Sequence, residues 1–236
     1  MAHSPPRAKL LKLSGEVLGD ADGCLHRPTV DRVCAEIRAG SERQPVAVVV
    51  GGGNILRGGG LRQHSADPTR GDYQGMLATL INALALQDAL ERHHARAAVF
   101  GPHAIPNVCR QYDRAAVLAE LAAGAVVIFG GGTGHPFFTT DTTAALRAAE
   151  IGARELLKAS KVDGIYNADP AKDPTASRFD ALTYDQCLAG RYAVMDLAAF
   201  AICREQRIAI RVFDMNRPGA IAQALGPHPP GTLVGD

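Results

Sequence analysis

The feature that most constrains this chain is a short, wholly apolar run that ends directly in glycines. VAVVV from Val46 passes into GGGN at Gly51, and AVVIF from Ala125 passes into GGGTGHP at Gly130. Runs of this length with no polar alternation suit strands covered on both faces, and such strands belong to mostly parallel sheets. Four further runs read the same way: AKLLKL from Ala8, ARAAVF from Ala95, ELLKA from Glu155 and IAIRVF from Ile208. Between them, Ala- and Leu-rich stretches with helical spacing predict helices over residues 29–41, 72–94, 114–123, 140–152 and 196–206. A last helix is predicted from Pro218, a good first helical residue. Strand and helix in alternation predict an α/β layered fold.

At 236 residues, 47% hydrophobic and 21% charged, the chain is long enough to bury a full core as a single domain over 1–236. No internal repeat, low-complexity linker or charge block divides it, and the one change of texture follows the glycine-rich segment at Gly130. Lys and Arg number 25 against 24 Asp and Glu, so no net field draws nucleic acid or an anionic membrane, and any phosphate binding is local. The five cysteines, Cys24, Cys34, Cys109, Cys187 and Cys203, are scattered and form no CxxC pair. That argues against a disulfide framework or a zinc site and fits a reducing compartment. The start, MAHSPPRAK, is short and polar, and no segment approaches the ~20 apolar residues of a membrane span. The expectation is a soluble cytoplasmic protein with no membrane or nucleic-acid partner.

Three strands end in small-residue turns: KLSGE at Lys12, GGGN at Gly51 and GGGTGHP at Gly130. In an open α/β sheet ligands lie beyond the carboxyl ends of the strands, where such turns let backbone N–H groups approach phosphates. The chain has no Gly-Lys dipeptide, so the P-loop is absent, and no GxGxxG follows a predicted strand. A triphosphate and a monophosphate together carry about six negative charges and need cations at this edge. Lys12, which interrupts the apolar run LLKLSG, Arg57 after GGGN, and Lys158 and Lys161 on either side of Ser160 are placed to supply them. Asp72 and Asp141 read equally as helix caps, and Asp163 and Asp169 as turn formers, so residue physics alone leaves the carboxylates unranked.

Taken in order, KLSGE, VVVGGGNILRG, GDYQGMLATLINALALQDAL, GGTGHPFFTTDTTAALRAAEI, KASKVDGIYNADPAKDP, VMDLAAFAICRE and IRVFDMNRPG resemble the uridylate kinases of bacteria, within the amino acid kinase family. The resemblance covers nearly the whole chain. It implies a three-layer α/β/α sandwich around a mainly parallel sheet, ATP with Mg²⁺ as phosphoryl donor and UMP as acceptor. It also implies an acceptor lobe over roughly 9–150, an ATP lobe over roughly 151–236, and a flexible extension over 1–8. ATP would be held by Lys12, Leu13, Ser14, Gly15, Gly53, Arg57, Ser160, Tyr166 and Asp169. UMP would be held by Gly52, Asp72, Thr133, Gly134, His135, Pro136, Phe137, Phe138, Thr139 and Thr140. No protein metal ligand is named.

On this resemblance a phosphate oxygen of UMP attacks the terminal phosphorus of ATP in line, and no strong general base is required. Lys12 would stabilise the transferring group, Lys161 or Lys158 would assist, and Asp141 or Asp196 would orient cations or the metal. A homohexamer is implied, with GTP and UTP as possible effectors. Three departures stand out: His135 where the family usually has Asn, Ser160 for Thr, and LGDADGCLHRP from Leu18, which overlaps the region linked to GTP activation. The rival readings are an amino acid kinase acting on a carboxylate and a non-catalytic nucleotide-binding relative.

Overall fold

Each of the six apolar runs becomes a strand in the computed structural model, which describes residues 8–20, 25–56, 66–170, 172–192 and 194–236. In chain order the elements are β1 (Lys9–Leu13), a 3₁₀ turn (Gly15–Val17), α1 (Arg27–Ser41), β2 (Val46–Val50), α2 (Pro68–Arg92), β3 (Ala97–Gly101), β4 (Arg110–Gln111), α3 (Arg114–Ala122), β5 (Val126–Phe129) and α4 (Thr140–Ile151). There follow β6 (Glu155–Ser160), β7 (Ala181–Leu182), α5 (Tyr184–Ala189), α6 (Leu197–Glu205), β8 (Ala209–Asp214), α7 (Ala220–Ala224) and β9 (Thr232–Val234). The strands form one nine-stranded sheet in the order β4-β3-β5-β2-β1-β6-β8-β9-β7. Every pairing is parallel except β8 with β9.

The period of two along each strand divides the core into two layers. Leu11, Leu13, Val48, Val50, Leu157 and Phe213 face α1, α2 and α7. Leu10, Ala47, Val49, Leu156 and Ile210 face α3, α4, α5 and α6. The molecule is therefore the expected three-layer α/β/α sandwich. Strands from the first half of the chain lie on one side of β1 and those from the second half on the other, so the connections reverse direction around β1. Crevices at the carboxyl edge of such a reversal are where ligands enter open α/β sheets.

Four expectations need correction. The long helix starts at Pro68, not Asp72: Asp67 is its N-cap, accepting from the Thr69 N–H at 2.9 Å, and proline takes the first helical position. Asp72 therefore lies in the second turn, buried, and is not the N-cap of the helix. The last helix starts at Ala220 rather than Pro218, because Gly219 adopts φ 79° and a carboxylate from another helix receives the first N–H groups. The six-residue α5 was missed although Thr183 and Gln186 form a full capping box at its start. Strands β4 and β7 have two residues each, too few to display a period, while β9 falls at the last strand expected near Leu233.

The carboxylate that caps α7 is Glu36 of α1. Its two oxygens accept from Gly219 N–H at 3.0 Å and Ile221 N–H at 2.9 Å, and Arg32 pairs with it at 2.9 Å while donating to the Met215 carbonyl. Glu36→Ala leaves these buried donors without acceptors and is expected to destabilise the fold by about 2–4 kcal/mol. Glu36→Gln, which keeps one acceptor oxygen, should cost less. Urea unfolding of the three proteins checks the order, and equal midpoints would refute it.

Candidate active site

The centre of the site follows from strand register. Lys12 on β1 and Lys158 on β6 are direct partners across a parallel pair, and both point to the α4 layer, as Leu10 and Leu156 do two residues earlier. Like charges opposite each other on one face repel. The first turn of α4 places a carboxylate between them: Asp141 Oδ1 lies 2.7 Å from Lys12 Nζ and Oδ2 lies 2.9 Å from Lys158 Nζ. Lys12 forms a buried ion pair with Oδ1, and Lys158 donates to Oδ2 and to the Val194 carbonyl at 2.5 Å. Burial alone would push the Asp141 carboxyl up, but the two ammonium groups outweigh it and hold it below its ordinary value.

The other aspartate of the expected catalytic group has a different environment. Asp196 is the N-cap of α6, accepting from Ala199 N–H at 2.9 Å, and takes hydrogen bonds from the hydroxyls of Thr139 and Thr142. Thr139 is itself the N-cap of α4, accepting from Asp141 N–H at 3.0 Å. One carboxylate thus ties two helix starts together, and through Thr139 it fixes the backbone of Asp141. Lys161 does not join Lys12; it forms an exposed pair with Glu16 at 3.1 Å. Behind the cluster, burial pushes the Cys203 thiol up to about 12, with Asp141 and Asp196 adding to the effect, so it stays protonated and is no nucleophile.

Two cavities lie beside this cluster, one lined by Thr139 and Thr140 at the start of α4 and the other by Lys158. The first, about 490 Å³, is lined by Gly52, Asp72, Thr133, Phe138, Thr139 and Thr140 among the expected acceptor residues, by Gly53, which was expected to hold ATP, and by Glu16, Met76 and Thr79 besides. Its floor is built by close backbone approach: Gly51 N–H donates to Leu13 O at 2.9 Å, and a Cβ on Gly15 would lie 2.6 Å from Gly51 O and Gly53 N. That excludes any larger residue at Gly15. Along one wall Asp72 Oδ2 accepts from Phe137 N–H at 2.7 Å. Phe137 is in the left-handed region at φ 72°, a strained state for a non-glycine residue that such a bond helps to hold. Gly134 and Pro136 complete the turn, and His135 is exposed in it.

The second cavity, about 530 Å³, opens on the far side of Lys158 and is lined by Ser160, Tyr166 and Asp169 together with Gly164, Tyr192 and Val194. Tyr166 donates its hydroxyl to Asp163 at 2.8 Å. Ser14 caps the 3₁₀ turn after β1, and Leu13 is fully buried at the end of that strand. Arg57 lies outside the described residues. The sequence reasoning did not reach Thr79, Met76, Tyr192 and Val194. Val194 precedes the motif residue Asp196 and was within reach; Thr79 reads as ordinary helix text.

Residues 7–214 match the model of the Amino acid kinase family. The chain is 48% identical over 236 residues to the uridylate kinase of Bradyrhizobium sp. strain ORS 278, with 99% of each chain covered. A second Bradyrhizobium uridylate kinase, from strain BTAi1, matches equally well. Among solved structures, UMP kinase from Ureaplasma parvum superposes with a TM-score of 0.94 at 31% identity, covering 99% of this chain and 100% of its own. UMP kinase from Bacillus anthracis gives 0.92 at 33%, covering 99% and 97%.

Removing the central charge should be visible in stability as well as in turnover. Asp141 has a folded value below that of the unfolded chain, about 3.9, so its pairing contributes stability that is full above about pH 4 and is lost as pH falls through the folded value. Asp141→Asn is expected to be about 3 kcal/mol less stable at pH 7, with the same gap at pH 9 and a narrowing gap below pH 4. Urea titrations from pH 3 to 9 measure this, and a gap that does not narrow in acid would rule out the ion pairs as its source.

Proposed function

The chain belongs to the amino acid kinase family, and within it we propose that the protein catalyses transfer of the terminal phosphoryl group of ATP to UMP, giving ADP and UDP. The observation that carries this reading is a pair of cavities on either side of the Lys12–Asp141–Lys158 cluster, one lined by Lys158 and the other by Thr139 and Thr140 at the start of the helix that carries Asp141, which suits two phosphorylated ligands. Whole-length identity to uridylate kinases supports UMP as the acceptor.

The donor occupies the cavity of Ser160, Tyr166 and Asp169 in the second half of the chain, and the acceptor occupies the cavity of Gly52, Asp72 and Thr133 to Thr140 in the first. The UMP phosphate approaches the N-terminus of α4, where the helix dipole favours an anion while Thr139 caps the Asp141 and Thr142 N–H groups. Its oxygen attacks the terminal phosphorus of ATP, a new O–P bond forms, and the bond from that phosphorus to the bridging oxygen breaks to release ADP. The acceptor phosphate, with a second pKa of about 6, is already ionised near neutrality, so no base is needed. Lys12 stabilises charge on the transferring group, with Lys158 beside it and Asp141 holding both ammonium groups in place.

Magnesium enters with the nucleotide. Among the described residues no three His, Cys, Asp or Glu side chains gather into a metal cage. Asp141 is engaged by lysines and Asp196 by helix donors, a donor set that suits an ion carried on phosphate oxygens. When bound, it offsets charge between the phosphates.

Tyr73, Leu77, Ile81 and Leu84 form an exposed stripe along α2. This supports an assembly of identical subunits, the homohexamer implied by the resemblance, with GTP and UTP as its effectors. No helix among the described residues is long and apolar enough to cross a membrane, and the reading assigns the enzyme to the cytoplasm, where its substrates are.

The test is ADP formation from Mg-ATP with UMP, CMP, dUMP, aspartate or glutamate as acceptor. Turnover is expected with UMP, and Lys12→Ala should lower kcat by about 100- to 1000-fold, the usual loss for one transition-state donor. Turnover with an amino acid, or none with any acceptor, would overturn the assignment.

A further inference from the structure

The acceptor cavity lies between two glycine turns that belong to different strands, Gly51 to Asn54 after β2 and Gly130 to Gly134 after β5. No strand ladder connects the turns beyond the strand ends, so something else must set their separation. One helix touches both. A Cβ on Gly52 would lie 2.9 Å from Ala78 Cβ and 3.0 Å from Thr79 N, and a Cβ on Gly130 would lie 2.8 Å from Leu80 Cδ2. From the same stretch of α2, one helical turn apart, two polar side chains reach the turns. Thr79 Oγ1 accepts the Gly131 N–H at 2.7 Å and donates to Met76 O. Asn82, fully buried, donates to Gly51 O at 2.6 Å and exchanges two hydrogen bonds with Asn54, at 2.7 and 3.1 Å.

A buried amide or hydroxyl in a helix–sheet interface costs free energy unless its partners are fixed, so an apolar residue would otherwise suit both positions. Here each side chain satisfies a main-chain group at the end of a strand, and the spacing of three residues delivers the two to neighbouring turns from one face of the helix. Thr79 also lines the cavity that Gly52, Gly132 and Asp72 enclose. We propose that Thr79 and Asn82 are positioning residues that hold the two glycine turns at the separation the acceptor requires. They act through the turns rather than on the reacting atoms. The proposal rests on the assignment of UMP to this cavity.

A residue that only satisfied the core would affect melting and leave kinetics alone; a positioning residue shifts the constant of one substrate. Thr79→Val keeps the shape and loses the hydroxyl, and Thr79→Ser keeps the hydroxyl. KM for UMP is expected to rise about tenfold in Thr79→Val and to return to within about twofold of wild type in Thr79→Ser, with KM for ATP moving less than about twofold in both, a tenfold change being the scale of one lost hydrogen bond. Asn82→Leu should raise KM for UMP likewise where it folds; the Thr79 pair carries the test where it does not. Hydrogen exchange of the 130–134 segment gives a readout independent of turnover: faster exchange in Thr79→Val, restored in Thr79→Ser. A wild-type protein inactive on UMP would sink the functional assignment while exchange still judged the positioning. Unchanged exchange, or an unchanged KM for UMP in an active Thr79→Val enzyme, would overturn the proposal itself.

Discussion

The carboxyl-end rim depends on keeping two ammonium groups side by side. Lys12 and Lys158 are bound to opposite oxygens of one carboxylate. At an effective dielectric of about 20, the repulsion of two like charges held around one carboxylate is up to about 4 kcal/mol. Asp141 offsets it because it stands within ion-pair distance of both, yet it leaves the cluster with one positive charge in excess. A polyanion is the natural complement to that excess. The same carboxylate starts α4, whose dipole favours negative charge at that point, so the helix stabilises Asp141 before any ligand arrives.

A second cluster with the same charge count shows why composition alone does not reveal a site. At the amino end of the same strands, Glu155 pairs with Lys9 at 3.0 Å and with Arg211 at 2.7 Å. There the cations have further acceptors: Lys9 reaches the Ala224 and Gly226 carbonyls, and Arg211 the carbonyl of Pro229. That cluster staples the C-terminal segments to the sheet. Among the described residues Lys12 has only Asp141 as a partner, and one cavity borders Lys158 while another borders the start of α4. The difference lies in which donors remain unsatisfied.

This contrast explains how much of the site could be read in advance. The six main strands and the glycine turns were legible because short, mostly apolar runs and strand-end glycines have few other uses, and Lys12 was legible because it interrupts such a run. Choosing between Lys158 and Lys161 was not possible from text. The two differ by three residues, and only the register of β6 against β1 turns the first toward α4 and leaves the second with Glu16. Asp141 and Asp196 looked alike as helix starters. Their environments separate them: lysines around one, hydroxyls and an N–H around the other. The start of the long helix was misplaced at Asp72 because the true start, Asp67 followed by Pro68, lies five residues earlier in weakly periodic sequence.

The alternation of side chains along the strands also divides the work between the two helix layers. Residues that face α4 and α6 supply charge, since Lys12, Lys158, Asp141 and Asp196 all lie on that side of the sheet or at its helix starts. Helix α2 lies on the other face and has no access to Lys12. It meets the rim only past the strand ends, where the chain has become glycine turns, and what it offers there is hydrogen bonding to main chain. Charge from one layer and shape from the other can therefore change independently. Helix α2 also carries the exposed stripe of Tyr73, Leu77, Ile81 and Leu84, so one helix meets the glycine turns with one face and solvent with another.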